Sequence, residues 1–501
     1  MRWCDWMPSV RQAPEDERFN TQTIHNQTIQ MKTTCRKMKG VMTGVAVLGA
    51  ALLANAEPST EATILRITGS TAFRSATHSA IVSMFDSAPK AGYAGSSLSG
   101  SGRSFFFGTV GGQQVIITTS WSGSTGGIQV VAGAIPVGFL PDTLADSTST
   151  PVLATAGANA TGGTQISSSS SFGSNLQVAD VAMGDSYQSA TPFKTPVLSD
   201  TRVGVIGFKW LVNRGLSSAT VSKSDVSTTL GSAQVTMGST AGIVAGMHVK
   251  GTGLPTNTYL KVLSVDSGTQ VTLSANATAT SASPVTVTFA TAAPITNINT
   301  QLAQALWGSG TASLAQFMGN SADSATVVYA TGRDPDSGTR LTTFAESGIG
   351  VDSTVTQYKP TVSGGVITAL APYPQQVVNG ITFTEGNGGE SSGGTLAGYF
   401  GNVSNLGYLI SYVGSGDAPG AINAGAKELT YNGVAYSDAA IKDGSYTFWC
   451  YEHVMYPQTL ATAKKNLANT MADRIATTYA PIKLTEMNCS RSADGGVVFH
   501  N

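Results

Sequence analysis

Charge, cysteine and histidine are scarce in this chain of 501 residues. Only 11% of the residues are charged, and 28 basic residues stand against 29 acidic ones. The chain therefore lacks the basic excess that binding to nucleic acid requires. Its five histidines, at positions 25, 78, 248, 453 and 500, do not have the spacing of metal ligands. We expect no nucleic-acid partner, no metal and no cofactor.

The first 56 residues have the pattern of an export signal. Basic residues between Met31 and Lys39 precede an apolar run at positions 41–53, and Ala54-Asn55-Ala56 is typical of a signal-peptidase site. We interpret residues 1–30 as an extension from a misassigned start, and 31–56 as a signal peptide cleaved after Ala56. The remaining chain has 21 basic and 25 acidic residues and no further membrane-spanning run. A periplasmic or secreted protein is the expectation.

Two of the four cysteines, Cys450 and Cys489, follow the predicted signal peptide. In an oxidising compartment an even pair favours a disulfide, which would stabilise the fold by about 3–4 kcal/mol. Two buried free thiols are the alternative.

The most informative segment runs from Arg333 to Thr339. Ser337 precedes an apolar helical pattern and is predicted to be its N-cap, so that free backbone amides point outward at a helix N-terminus. Arg333, four residues upstream, can place a guanidinium over the same point. This combination suits a tetrahedral oxyanion.

Two other segments repeat the strand–turn–helix pattern. After a strand at Ile64–Ile67, Ser70 or Thr71 is predicted to cap a helix that continues to Met84. After a strand at Val115–Thr119, the turn around Ser124 leads into a further helix. Three such junctions suggest one composite anion site.

In order and spacing, these segments resemble the periplasmic phosphate-binding proteins of ABC-type uptake systems. The resemblance covers residues 62–217 and 293–480, and the arginine/Ser-Gly-Thr motif is its most specific part. It implies an α/β, two-lobed periplasmic binding protein fold of type II, phosphate or a related tetrahedral oxyanion as ligand, and an ABC permease as partner. The ligand-binding residues that it implies are Ser70, Thr71, Ala72, Ser124, Asp185, Arg333, Ser337, Gly338 and Thr339.

Asp185 is a carboxylate at a site for an anion, which makes sense if the ligand carries a proton. Hydrogen phosphate could donate a hydrogen bond to Asp185, whereas sulfate has no proton to donate and would leave the carboxylate unpaired. Asp180 is the next candidate for this role. The chain departs from the family pattern at Arg74, where proline is common, and at Asp336, where glycine is usual.

Residues 218–292 have a different sequence pattern from the rest of the chain. Short alternating strands separated by Gly, Pro and Asn turns predict an inserted β-rich module. The bilobal domain is predicted at 62–217 and 293–480, with lobe I at 62–200 and 391–480 and lobe II at 201–217 and 293–390. We expect a low-complexity loop at 142–176 and a frayed tail at 481–501.

Two other functions remain open. A secreted phosphatase-like hydrolase could use Ser124 or Thr339 as nucleophile, although no histidine or lysine is near them in sequence. A surface or adhesive protein on the same scaffold would fit the β insert. We expect a binding protein rather than an enzyme.

Overall fold

The computed structural model describes residues 57–169, 175–256, 258–378 and 380–501. The extension predicted at 1–30 and the signal peptide predicted at 31–56 lie outside the described residues. No helix within the described ranges is long and apolar enough to cross a membrane.

The α-helices, in chain order, are α1 Pro58–Glu61, α2 Arg74–Met84, α3 Ser124–Ala132, α4 Thr300–Ser309, α5 Leu314–Met318, α6 Gly338–Glu346, α7 Gly393–Phe400, α8 Ala418–Asn423, α9 Asp438–Lys442 and α10 Thr462–Arg474. The strands are β1 Thr63–Gly69, β2 Lys90–Ala94, β3 Arg103–Val110, β4 Gln113–Trp121, β5 Pro136–Phe139, β6 Ala154–Gly157, β7 Thr161–Gly162, β8 Thr164–Ser167, β9 Asn175–Val178, β10 Val181–Gly184, β11 Ser199–Val212, β12 Gly215–Leu216, β13 Thr220–Val226, β14 Gln234–Thr236, β15 His248–Gly251, β16 Val262–Ser267, β17 Gln270–Leu273, β18 Val285–Ala290, β19 Asn297–Ile298, β20 Thr311–Ser313, β21 Val327–Ala330, β22 Tyr358–Ser363, β23 Val366–Pro372, β24 Gln376–Val378, β25 Ile381–Phe383, β26 Val403–Ser404, β27 Tyr408–Gly414, β28 Lys427–Tyr431, β29 Trp449–Tyr456, β30 Cys489–Ser490 and β31 Phe499–His500.

The main sheet has 15 strands and two halves, one built around β1 and the other around β27. The predicted α/β, two-lobed fold is confirmed. In the first half, β1 lies between β4 and β10 and is parallel to both. β1 is buried on both faces from Leu65 to Gly69, as is usual for a parallel strand inside a sheet, although Arg66 and Thr68 interrupt its apolar run. In the second half, β21 is parallel to β27.

The long strand β11 joins the two halves. Its first part, Ser199–Gly207, pairs with β29, and its second part, Phe208–Val212, pairs with β27 and β28. The chain therefore returns to the first half only at β29. The assignment of all of 391–480 to lobe I was wrong, because β27 and β28 hydrogen-bond within the second half.

Within the predicted low-complexity loop, residues 154–167 form strands. β6 and β8 both pair with β2, extending the edge of the main sheet with main-chain hydrogen bonds that need no apolar side-chain pattern. A composition rich in Ser, Thr and Gly concealed these strands.

The predicted β-rich insert forms two three-stranded sheets, β13-β18-β15 and β14-β17-β16. It has an apolar core of its own, which includes Val235, Leu260 and Phe289. The insert is joined to the body by Arg214, whose Nε donates to His248 Nδ1 at 2.8 Å. Burial and the Arg214 charge lower the pKa of His248 to about 3, so the ring accepts this bond in its neutral form.

Cys450 and Cys489 are both buried and both free, so the predicted disulfide is wrong. Cys450 lies inside β29, while the Cys489 thiol contacts the carbonyl oxygen of Ile441 at 3.4 Å. Both cysteines belong to the main apolar cluster, which is the alternative that the sequence left open.

The C-terminal tail is packed rather than frayed. Arg491 is 3% exposed, pairs with Glu346 at 2.9 Å and lies over the ring of Trp449. Asp494 accepts a hydrogen bond from the Tyr187 amide at 2.8 Å. The tail therefore holds together the end of α6 and the loop after β10. Its glycine content gave no sign of these contacts, which are distant in sequence.

We predict that deleting residues 219–291, with a short Gly/Ser linker, leaves a folded protein. The two connections lie side by side, since Thr220 pairs with Ala290 and the Thr291 amide donates to the Ala219 carbonyl. Losing the buried Arg214–His248 bond should cost about 1–3 kcal/mol. Thermal unfolding should remain cooperative, and aggregation would show that the body needs the insert.

Candidate functional site

The three predicted loops meet at the carboxyl ends of parallel strands. The loop after β1 contacts the loop after β4, where the Gly123 amide donates to the Gly69 carbonyl at 2.9 Å. The amides of Thr125 and Gly126 then donate to the Asp336 carbonyl at 3.0 and 3.3 Å. The loop after β21 is thereby joined to the start of α3.

Asp185, at the end of β10, is the centre of this cluster and is 2% exposed. The Ser124 hydroxyl donates to Asp185 Oδ1, and the Thr339 hydroxyl donates to Oδ2 at 3.3 Å. The Asp185 amide donates back to Ser124 Oγ at 2.9 Å. Burial raises the pKa of Asp185, while the Ser124 hydroxyl, the Arg333 charge and the Thr339 hydroxyl act to lower it.

Glycine at position 338 is required by this arrangement. A Cβ at Gly338 would overlap Asp185 Oδ1 and lie 2.5 Å from Ser124 Oγ. The first turn of α6 can therefore approach the carboxylate only because residue 338 has no side chain.

The N-terminus of α6 matches the sequence-based expectation. Ser337 is the N-cap, and its hydroxyl accepts from the Arg340 amide at 3.3 Å. Among the hydrogen bonds of the described residues, none takes up the amides of Gly338 and Thr339. These two donors and the positive end of the helix dipole are available to an anion.

The other two helix starts differ from the expectation. α3 is capped by Gly123, and its first amides already bond to Asp336, so Ser124 contributes its hydroxyl rather than a free helix end. α2 begins at Arg74 after Phe73, without a side-chain cap. The prediction that Ser70 or Thr71 caps this helix was wrong.

Ser70 bonds locally instead. Its hydroxyl accepts from the Ala72 amide at 3.2 Å, which removes that amide from the donors available to a ligand. Ala72 and Thr71 line a cavity of about 210 Å³ next to the cluster. Ser70 itself is 1% exposed and lies on the inner side of the same turn.

Arg333 is 2% exposed and is held by backbone carbonyls. Its Nε donates to Glu390 and its Nη2 to Ser391, both at 2.9 Å. Because a guanidinium has five N–H donors, three remain for other partners. The charge of Arg333 acts on Asp185 and also lowers the pKa of Asp417, against the raising effect of burial.

Arg74 and Asp417 bring opposite charges from the two halves to the cavity that Thr71 lines. Arg74 begins α2 in the first half, whereas Asp417 follows β27 in the second. Burial lowers the pKa of Arg74, the charge of Asp417 raises it, and that of Arg333 lowers it. Their mutual attraction favours a closed arrangement of the halves.

Asp180, the alternative to Asp185, is at the opposite end of β10. Its carboxylate accepts from the Arg66 amide at 2.9 Å and from Lys464 Nζ at 2.8 Å. This ion pair attaches α10 to the sheet and leaves Asp180 without a part in the site.

Sequence reasoning missed Glu452, which is fully buried within β29. Burial raises its pKa well above the usual range, the negative charge of Asp185 raises it further, and the Ser70 hydroxyl lowers it. A carboxyl inside a strand whose residues are all buried was the available signal.

Comparisons with known proteins give remote likenesses. An ABC-type phosphate transport receptor from Vibrio cholerae matches over 84% of this chain and 100% of that protein, at 10% identity and a TM-score of 0.39. The figures are the same for a putative phosphate ABC transporter substrate-binding protein with bound phosphate from Clostridium perfringens. A possible phosphate binding protein from Planctomyces limnophilus matches over 83% and 98%, at 11% identity and a TM-score of 0.31.

No protein-family model and no curated protein matches the chain. At these identities and TM-scores, the function has to be inferred from the chemistry of the site.

We predict that Gly338→Ala destabilises the fold by about 1–3 kcal/mol, the usual range for overpacking, because the new methyl group meets Asp185 and Ser124. Gly398→Ala is the matched control. Gly398 lies on the exposed face of α7 with open space around it, so alanine should stabilise by about 0.5–1 kcal/mol. Urea unfolding measures both changes, and equal effects would contradict the proposed close approach.

Proposed function

We propose that this chain is an extracytoplasmic solute-binding protein that holds phosphate, or a related tetrahedral oxyanion, for ABC-type uptake. One observation carries the proposal. Two hydroxyls, those of Ser124 and Thr339, converge on the buried carboxylate of Asp185 beside the free amides at the start of α6. A carboxylate is itself an oxyanion, so the same donors can serve a tetrahedral one.

Each part has a distinct role in this proposal. Arg333 supplies the formal positive charge, held in place by the carbonyls of Glu390 and Ser391. The amides of Gly338 and Thr339 supply oriented donors that need no mobile counter-charge. Asp185 accepts a hydrogen bond from the O–H of hydrogen phosphate, which sulfate cannot provide.

Calorimetric titration of the mature chain with phosphate, arsenate, sulfate and molybdate tests the proposal. Binding of phosphate or arsenate in preference to sulfate is expected. Absence of binding to all four anions would refute it and favour the surface-protein alternative.

The hydrolase alternative rests on the contact between Ser124 and Asp185, a hydroxyl beside a carboxylate base. We propose binding without catalysis, because Ser124 Oγ also accepts from the Asp185 amide and is 1% exposed. His78 is engaged by Thr119 and Trp121, and burial lowers its pKa to about 3. Turnover of p-nitrophenyl phosphate that disappears in Ser124→Ala would establish the hydrolase instead.

Arg333→Ala should weaken phosphate binding by about 2–4 kcal/mol, the scale for losing a charge-assisted contact in a desolvated cleft. The control is Arg202→Ala, since Arg202 is exposed, lies over the ring of Tyr451 and belongs to no part of the site. Arg333 also donates hydrogen bonds to two carbonyls, so its removal could disturb the fold. Circular dichroism should therefore be used to check that both variants remain folded. Phosphate affinity equal to wild type in Arg333→Ala would remove the central cation from the site.

Asp185→Asn should change selectivity rather than affinity alone. The amide removes the negative charge and adds a donor, so sulfate binding should strengthen relative to phosphate binding, on the order of tenfold. Paired titrations of both anions at constant ionic strength give the ratio. If the ratio is unchanged, Asp185 does not detect the proton of the ligand.

A further inference from the structure

Glu452 is a carboxyl group in the interior of the main sheet. It is 0% exposed, and among the described residues neither Oε1 nor Oε2 meets a partner in hydrogen-bond geometry, although the Ser70 hydroxyl is near enough to lower the pKa of Glu452. An unpaired buried polar group is costly, and an unpaired charge far more so. A purely structural role would be better served by an apolar residue of the same size.

The strand register places Glu452 at the candidate site. β10 pairs antiparallel with β29 from Ala182 opposite Met455 to Gly184 opposite His453. One further step brings Asp185 level with Glu452. On the other side of β10, β1 is parallel and ends at Gly69, so Ser70 begins the loop at the same edge.

Three adjacent strands thus deliver a hydroxyl and two carboxyls to one place. Ser70 and Asp185 act on the ionisation of Glu452, and the charge of Glu452 in turn raises the pKa of the Cys450 thiol, two residues earlier on β29. On the β11 side the residue opposite is Gly204, which has no side chain.

Two neighbouring buried carboxyls cannot readily both be ionised. Arg333 lowers the pKa of Asp185 against the raising effect of burial, whereas the charge of Asp185 raises that of Glu452 and no cation among the described residues is a cause of its shift. This difference favours retention of the proton on Glu452, and a neutral Glu452 has an O–H to donate.

We propose that Glu452 is a further ligand-binding residue, donating its O–H to an oxygen of the bound oxyanion. This inference rests on the proposed function and adds to it a proton donor opposite the acceptor Asp185. Both phosphate and sulfate can accept this bond, so Glu452 contributes affinity for either anion. Asp185, by contrast, determines their ratio.

The binding test uses two substitutions at one position. Glu452→Met keeps the volume but loses the donor, and should weaken phosphate and sulfate binding by similar factors, roughly 10- to 100-fold, the loss expected for one hydrogen bond to a charged group. The same variant should melt at a higher temperature without ligand, because an unpaired carboxyl is removed from the core. Glu452→Gln retains a donor and should recover most of the affinity.

The control is Glu428→Met, because Glu428 pairs with Lys209 on the second half, away from the site. It should bind both anions as wild type does. Wild-type affinity in Glu452→Met, or an equal loss in the Met and Gln variants, would overturn the role of Glu452 while leaving the proposed function intact. If the wild-type protein binds none of the four oxyanions, both proposals fail.

A ligand-free measurement checks the protonation state. The pKa of Glu452 is raised in the folded protein, so the folded state retains a proton that the unfolded chain releases at a pKa of about 4.3. Wild-type stability should therefore fall as pH rises above about 5, relative to Glu452→Gln. Parallel stability curves for the two proteins between pH 5 and 8 would show that Glu452 is ionised, and would overturn the proposal.

Discussion

The candidate site depends on the burial of one carboxylate, that of Asp185, where three loops meet. Its two oxygens take the hydroxyls of Ser124 and Thr339, and its amide donates to Ser124 in return. Ser124 begins α3 and Thr339 lies in the first turn of α6, so this carboxylate ties together helices from the two halves of the sheet. Gly338 permits the contact, because any side chain there would separate α6 from Asp185.

The surroundings of the site explain how this burial is tolerated. Arg333 is held by two backbone carbonyls, so its positive charge stays in place. Arg74 adds a second positive charge opposite Asp417 in the neighbouring cavity. The tail adds a further constraint, since Asp494 holds the amide of Tyr187, two residues beyond Asp185. Donors that are held in place before binding have already lost their conformational freedom. Binding of a ligand therefore costs less conformational entropy.

The sequence predicted the parts of the site that are local in the chain. Ser337 is an N-cap because a polar residue precedes an apolar helical pattern, and such a pattern can be read from neighbouring residues alone. Glu452, the packing of the tail and the free state of Cys450 could not be predicted in this way. They depend on which strands lie side by side, and β10 is separated from β29 and from the tail by hundreds of residues. The strands at 154–167 were missed for a related reason, since main-chain pairing to β2 stabilises them despite a polar composition.

In the proposed function, the two carboxyls divide the recognition of an anion between them. Burial raises the pKa of Asp185, and the Ser124 hydroxyl and the Arg333 charge oppose that effect; in its ionised form Asp185 can only accept, and so favours a ligand that still has a proton. Burial and the charge of Asp185 raise the pKa of Glu452, which in this proposal retains a proton and donates it in a hydrogen bond. A monoprotonated tetrahedral anion satisfies both at once, donating a hydrogen bond to Asp185 and accepting one from Glu452. A fully deprotonated anion can accept from Glu452 but leaves the negative charge of Asp185 buried opposite the charge of the anion. Discrimination between the two kinds of anion therefore arises from which groups of the site are protonated, rather than from the size of the site.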